Sequence, residues 1–317
     1  MGEDASLTDC ALNELVPAKV FSVHDGKIDS LDIHSSGEWC LTGSSGDRSL
    51  NIYSCIHGTH TAKLFSKDFG IAEAKFTHKD TCLVYAATEE PSLLYHSTYD
   101  NKYLARMKGH VRRITQTAVS PADDFVATCA PLDSLRLWDL RTAAATAVLP
   151  LDTDTPLVCF DPEGLVFCLA RSSRFIHLYD MKNYQHGPFL VFDIQPLSGE
   201  RWTAIEHSSD GKKIAITATD GLVRVVDAFE GNVLSTLRLN SPSSVPRLTP
   251  DSRYLMAGSQ SGALSFWSLA QAAPVAELAA HRSPITRAVF NPRFFCAVTA
   301  AVRTVFWLQN DSDPLVA

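Results

Sequence analysis

Three groups of residues in the 317-residue chain carry side chains of types that do chemistry. Gly43-Ser44-Ser45-Gly46 has the composition of a loop whose backbone amides cradle phosphate. Such a loop works by feeding a helix N-terminus. The residues that follow, Arg48-Ser49-Leu50-Asn51-Ile52-Tyr53, alternate in the manner of a strand instead, so the segment reads as a hairpin. His57 and His60, three apart and close to Cys55, have metal-ligand types. No helical period aligns them, and an exposed hairpin is again the simpler reading. His24, His110 and His281 recur at one position, just ahead of an apolar run. A structural role explains three copies of one histidine; catalysis needs only one. The sequence contains no G-x-G-x-x-G, P-loop, H-E-x-x-H or G-x-S-x-G pattern. The expectation is no catalytic residue, no cofactor and no metal: a protein that is not an enzyme.

Bulk composition narrows the class further. Lys and Arg number 28 against 35 Asp and Glu, a net charge of −7, which gives no reason to expect direct nucleic-acid binding or an anionic membrane as partner. No apolar run approaches the roughly 18 residues of a membrane span, and the acidic start MGEDASLTDC is unlike a leader. The eight cysteines form no C-x-x-C pair and lie mostly inside apolar stretches. They are expected as reduced, buried thiols of a soluble intracellular protein.

The elements that must position any functional residue emerge from an internal repeat. Turn signals recur at Ser35-Ser36-Gly37, Thr77-His78-Lys79-Asp80, Ser120-Pro121-Ala122-Asp123, Asp161-Pro162-Glu163-Gly164, Ser208-Ser209-Asp210-Gly211, Thr249-Pro250-Asp251 and Asn291-Pro292. About seventeen residues after each comes Tyr53, Tyr95, Trp138, Tyr179, Val226, Trp267 or Trp307, spaced 42, 43, 41, 47, 41 and 40 residues apart. Each unit reads as four short strands, exemplified by Ile114–Val119, Phe125–Cys129, Leu135–Trp138 and Ala147–Leu149. Seven such units, with Trp138-Asp139 as the namesake dipeptide, predict an all-β fold: a seven-bladed WD-repeat β-propeller. The last unit lacks its fourth strand, whereas a spare strand, Ala18–Phe21, precedes the first. The N-terminal strand is therefore expected to close the last blade. The predicted organisation is a tail over 1–14, a propeller over 15–310 and a tail over 311–317.

Beyond Gly109-His110 and Trp138-Asp139, which any such propeller shares, the chain carries in order Asp100-Asn101-Lys102-Tyr103, Asp161-Pro162-Glu163-Gly164-Leu165, Gly187-Pro188-Phe189 and Asp227-Ala228-Phe229-Glu230-Gly231. Over residues 17 to about 308 it resembles the WD-repeat family called eighty-two in animals and Swd-two in yeast. That resemblance implies a nuclear, non-catalytic scaffold. Its implied partners are protein subunits: a Set-one/COMPASS histone methyltransferase, a PNUTS-like phosphatase-one regulator acting at transcription termination, or cleavage and polyadenylation factors. Each would be held by a short peptide segment.

A regular WD repeat links His, Ser/Thr, Asp and Trp by hydrogen bonds. Aligned on Trp138, the Ser and Asp positions of the third unit hold Ala130 and Leu132, so its network is expected to be incomplete. Unit one keeps Ser45 and Asp47 but ends in Tyr53; unit five keeps Asp220 but ends in Val226. With His110, Trp138, Asp139, Trp267 and Trp307, these are the expected structural residues. Val245-Pro246-Arg247-Leu248 predicts a short or distorted strand, because proline removes a ladder donor.

Function is then expected on surfaces. The candidate partner-binding residues are Lys67, Asp68, Arg112, Arg113, Arg171, Arg174, Arg201, Trp202 and Arg282, on the face that carries the loops between second and third strands and between blades. Arg and Trp are favoured at interface hot spots. Arg112 with Arg113, or Arg171 with Arg174, would suit a phosphopeptide, the alternative reading. A propeller enzyme would need acids or histidines on the inner strands, which read as mostly apolar. The long spacing of 47 places about five extra residues around Gln195–Arg201.

Overall fold

The computed structural model describes residues 7–66, 68–197, 200–240, 242–279 and 281–310. Seven four-stranded antiparallel sheets stand around one axis, six of them formed by four consecutive strands each. The burial of each strand explains its sequence. Central strands are covered on both faces by neighbouring blades, so Cys82–Ala86 and Ser92–Ser97 are buried throughout. Such strands read as continuous apolar runs rather than alternating ones. Outermost strands such as Ala144–Pro150 are largely exposed, which is why the fourth strand of each unit is the faintest in sequence.

The ring closes as expected. Leu15–Phe21 pairs antiparallel with Thr304–Gln309, from Leu15 opposite Gln309 to Phe21 opposite Thr304. A bulge between Pro17 and Lys19 accommodates the proline, at an edge where its missing donor costs nothing. The segment before it was expected as a tail, but residues 7–14 lie on the propeller. Thr8 caps a short helix, Asp9–Asn13. Leu7, Leu12 and Leu15 enter the core cluster that contains Tyr254, Phe266 and Trp307. The Tyr254 hydroxyl donates to Asp9 at 2.6 Å, and the Asn13 amide to the Val275 carbonyl at 3.2 Å.

Innermost strands have a free edge facing the central channel, and buried backbone donors there need partners. Side chains of one blade supply them to the next. Asp32 accepts from the Phe76 amide at 2.8 Å, Gln116 from Val158 at 2.6 Å, and Glu206 from Leu248 at 2.8 Å. The inner strands are thus less apolar than expected. The channel, a cavity of about 590 Å³, is lined in part by Asp32, Glu73, Lys75, Glu206, Arg247 and Arg287. Four of these charges are paired, Arg247 with Glu206 and Arg287 with Glu73, each at 3.4 Å. In the sixth blade the proline does shorten the inner strand, to Arg247–Leu248.

The polar network of the third blade is complete, contrary to expectation. The Trp138 indole donates to Thr128 at 2.8 Å; Thr128 lies 2.7 Å from His110 Nε2, and His110 Nδ1 lies 3.0 Å from Asp133. Donors and acceptors are all satisfied if Thr128 donates to Nε2 and Nδ1–H donates to the carboxylate. The hydroxyl sits in the second strand, not in the following turn. From that hydroxyl to the aromatic residue, this blade is one residue shorter than the first, so Asp133 rather than Leu132 reaches the histidine. In the first blade the corresponding hydroxyl is Thr42, at 2.8 Å from His24, whose other nitrogen meets Asp47 at 3.0 Å. Ser45 takes no part; its hydroxyl bonds Asp29 in the hairpin. The seventh blade keeps His281, Thr299 and Trp307 at 2.7 and 2.8 Å. Its hairpin, Ala301-Val302-Arg303, is too short to bring an aspartate.

Trp267 shows the contrast. It is buried, but its indole N–H has no partner, because Ala257 stands where the third blade has Thr128. Since both Trp→Phe changes remove similar volume, Trp138→Phe is expected to cost about 1–2 kcal/mol more than Trp267→Phe, the worth of a satisfied buried hydrogen bond set against an orphaned donor. Urea unfolding of the two variants measures this difference.

Burial holds His24, His110 and His281 below the ordinary imidazole value. Asp47 and Asp133 oppose the effect at the first two, while Arg303 reinforces it at His281, which is pushed down to about 4. Below about pH 6.5 the unfolded chain therefore binds more protons than the folded one. Stability is full above that pH and declines as pH falls from about 6.5 toward 4. The melting temperature followed by circular dichroism is expected to drop steadily from pH 7 to 4.5; a flat profile would contradict this account.

Candidate interaction faces

The two faces of the ring are built differently. On the face carrying the loops between second and third strands, the predicted arginines are mostly engaged. Arg174 makes two bonds of 2.6 Å to Asp193 and lies over the Phe175 ring. Arg201 meets Asp154 at 2.6 Å. Arg171 bonds the Pro150 carbonyl at 3.0 Å and lies 3.5 Å from Asp152. Arg113 donates to the Thr88 carbonyl. The structure thus brings Arg171, Arg174 and Arg201 together across blades three to five, each already facing a carboxylate. A phosphopeptide binding at Arg171 and Arg174 would have to displace Asp152 and Asp193. Exposed pairs of this kind contribute at most about 1 kcal/mol each, so a partner could exchange them.

Asp68, Arg112 and Arg282 are exposed and lie apart from this group; Lys67 falls outside the described residues. Trp202 is not a surface anchor. It is fully buried in the core between blades four and five, and its indole donates to Glu200 at 3.0 Å. Glu200 also receives Arg224 at 2.5 Å and the Leu197 amide at 2.8 Å. This buried acid–base pair, with side chains only 2 % and 6 % exposed, ties the inter-blade loop to the third strand of blade five. Asp139 and Asp220 work locally. Asp139 accepts three bonds from Arg141, and Asp220 holds the Leu222 amide and Arg238.

The opposite face carries the turns between third and outermost strands. One tip position recurs around it as Ile56, Tyr99, Arg141, Lys182, Phe229 and Ala270. A side chain two residues earlier often fixes the tip: Asp180 accepts from the Lys182 amide and Asp227 from the Phe229 amide, both at 2.8 Å. Tyr99 is 89 % and Phe229 70 % exposed, so these rigid turns present rings to solvent.

Blade four departs most. The sequence reading placed its extra residues around Gln195–Arg201, and the pairing register agrees: Asp193 to His207 spans 14 positions against 10 from Pro150 to Phe160, while the link before the outermost strand gains two. The link between Phe175–Asp180 and the outermost strand, Leu190–Asp193, runs over 181–189, against four residues at 140–143 in blade three. Part of this gain is offset by the shorter outermost strand. The long link contains a single 3₁₀ turn, Tyr184–His186, closed by Gly187 at φ 92°. Tyr184 pins it to blade three through the Thr146 carbonyl at 3.2 Å. Beneath it opens a cleft of about 590 Å³ lined by Leu165, Val166, Lys182, His186, Pro188 and Phe189 among others. Sequence reasoning passed over this site, although Gly187-Pro188-Phe189 had stood out as a motif.

Comparison with known proteins agrees with this architecture. The WD domain, G-beta repeat model matches residues 15–54 and 101–139. The chain is 30% identical over 315 residues to WD repeat-containing protein 82 of Drosophila melanogaster, covering 98% of this chain and 99% of that protein. It is 27% identical to COMPASS component SWD2 of Saccharomyces cerevisiae, over 90% of this chain and 92% of the yeast protein. It is 32% identical to Set1 complex component swd2 of Schizosaccharomyces pombe, over 78% and 69%. With a closed seven-bladed ring and similarity along nearly its whole length, the chain belongs to the family of WD-repeat proteins that includes WD repeat-containing protein 82 and Swd2.

Proposed function

We propose that this chain is a non-catalytic scaffold subunit of a nuclear Set1-type histone methyltransferase complex, and that the same ring also serves a PNUTS-type phosphatase module at transcription termination. The observation that carries the reading is the similarity, over 90% of this chain, to a protein named as a COMPASS component and, over 78% of it, to one named as a Set1 complex component. The geometry is consistent with it. Stiff blades present arginine–carboxylate pairs on one face and aromatic tips on the other, the two kinds of group that large subunits use as anchors and rims. Among the described residues, no three His, Cys, Asp or Glu side chains cluster to hold a metal. Affinity purification of the tagged chain from nuclear extract is expected to recover a Set1-type methyltransferase, a phosphatase-one module, or both. Recovery of neither would overturn the proposal.

A further inference from the structure

The cleft of blade four has the form of a peptide anchor site, and nothing in the ring's own architecture requires it. Six blades close without such an insertion. Here nine residues, 181–189, join the two strands; Met181 and Tyr184 pack on the core, while Phe189 stays 58 % exposed, and Leu165 of a neighbouring turn, which also lines the opening, is 50 % exposed. The turn is held by defined bonds, Asn183 to Asp180 at 2.7 Å and Tyr184 to blade three, so the cleft is formed in advance. Gly187 keeps its open side clear, with no atom within 4 Å of where a Cβ would stand. Preformed, mostly apolar clefts with few polar groups are what apolar ligand groups occupy.

The charges at the rim choose the occupant. Asp180 is turned inward, its carboxylate held by the Lys182 amide and the Asn183 side chain. Those bonds keep it below the usual carboxylate range, hence ionised and satisfied. Among the described residues neither the Lys182 ammonium nor the His186 ring makes a side-chain hydrogen bond or ion pair, although Lys182 lies close enough to Asp180 to help hold that carboxyl down, so their donors remain available at the opening.

We infer that this cleft captures an extended segment of a partner protein in which a large apolar side chain is flanked, within about three residues, by a carboxylate. The apolar side chain packs between Leu165 and Phe189, and the carboxylate meets Lys182. The inference rests on the scaffold reading and specifies one of its contact points.

The test is selection of random twelve-residue peptides displayed on phage against the intact chain, followed by fluorescence anisotropy of the enriched peptides. They are expected to share a Phe, Leu, Ile or Trp next to Asp or Glu. They should bind at least tenfold more weakly to Phe189→Ala and severalfold more weakly to Lys182→Glu. Lys79→Glu, on a turn of the same face in blade two, should leave binding unchanged. All three sites are exposed, and equal melting temperatures verify that the variants fold. No enrichment, a basic motif, or binding indifferent to Phe189→Ala overturns the inference. A chain that selects these peptides but recovers neither complex from nuclear extract would sink the functional reading and leave the cleft standing; the reverse pattern would do the opposite.

Discussion

A chain lacking residues 1–22 is expected to lose cooperative folding, whereas one lacking 311–317 should melt within a degree or two of the intact protein. The first deletion removes the outermost strand of the last blade and reopens the ring at Thr304–Gln309, exposing a sheet edge able to recruit another chain. It also strips Leu7, Leu12 and Leu15 from the core. Fully buried side chains of this kind contribute about 1.5–3 kcal/mol each. Their sum with the lost ladder approaches the whole stability of an ordinary domain, about 5–15 kcal/mol. Among the described residues, the pairing of that blade ends at Gln309, so the second deletion touches none of it. Thermal melts with light scattering compare the two; equal tolerance would refute the closure.

The second large effect is expected at Glu200. Glu200→Leu leaves the Arg224 guanidinium buried, with only the Gln195 carbonyl at 2.6 Å for company, and orphans the Trp202 indole. Breaking a buried ion pair from one side costs about 3–5 kcal/mol. Replacing both partners, as in Glu200→Leu with Arg224→Met, should recover most of that loss, because neither charge then remains buried. Chemical denaturation of the single and double variants decides the matter. A single variant as stable as the parent would show that water or a rearranged loop already satisfies Arg224.

These two sites mark what the sequence could reveal and what it could not. The repeat was legible because each unit carries a similar turn and a bulky closing residue, aromatic in all but the fifth, and the ring is so regular that the missing fourth strand of the last blade pointed to its replacement. The polar relays were misread in blade three because a hairpin one residue shorter moves Asp133, not Leu132, onto His110. Hydrogen-bond partners follow register, which a one-dimensional alignment on Trp138 does not preserve. The acid–base pair escaped notice because Glu200 and Arg224 meet only after the chain has crossed between blades. The arginines were found as residues, but not their carboxylate partners, which lie up to 47 positions away. The blade-four cleft was missed for a simpler reason. The register gains only two residues at 181–189, and the other four lie in the link that follows the outermost strand, so the spacing drew attention there.

Hydrogen–deuterium exchange on the chain alone and within the purified assembly tests the central claim most directly, that the exterior of a rigid ring holds other subunits while its channel takes no part. The account predicts protection in surface loops, with 181–189 among them, and unchanged exchange in the inner strands Ser30–Ile33, Gln116–Val119 and Trp202–His207. Protection confined to those channel strands, with the loops exchanging as they do in the free chain, would contradict it.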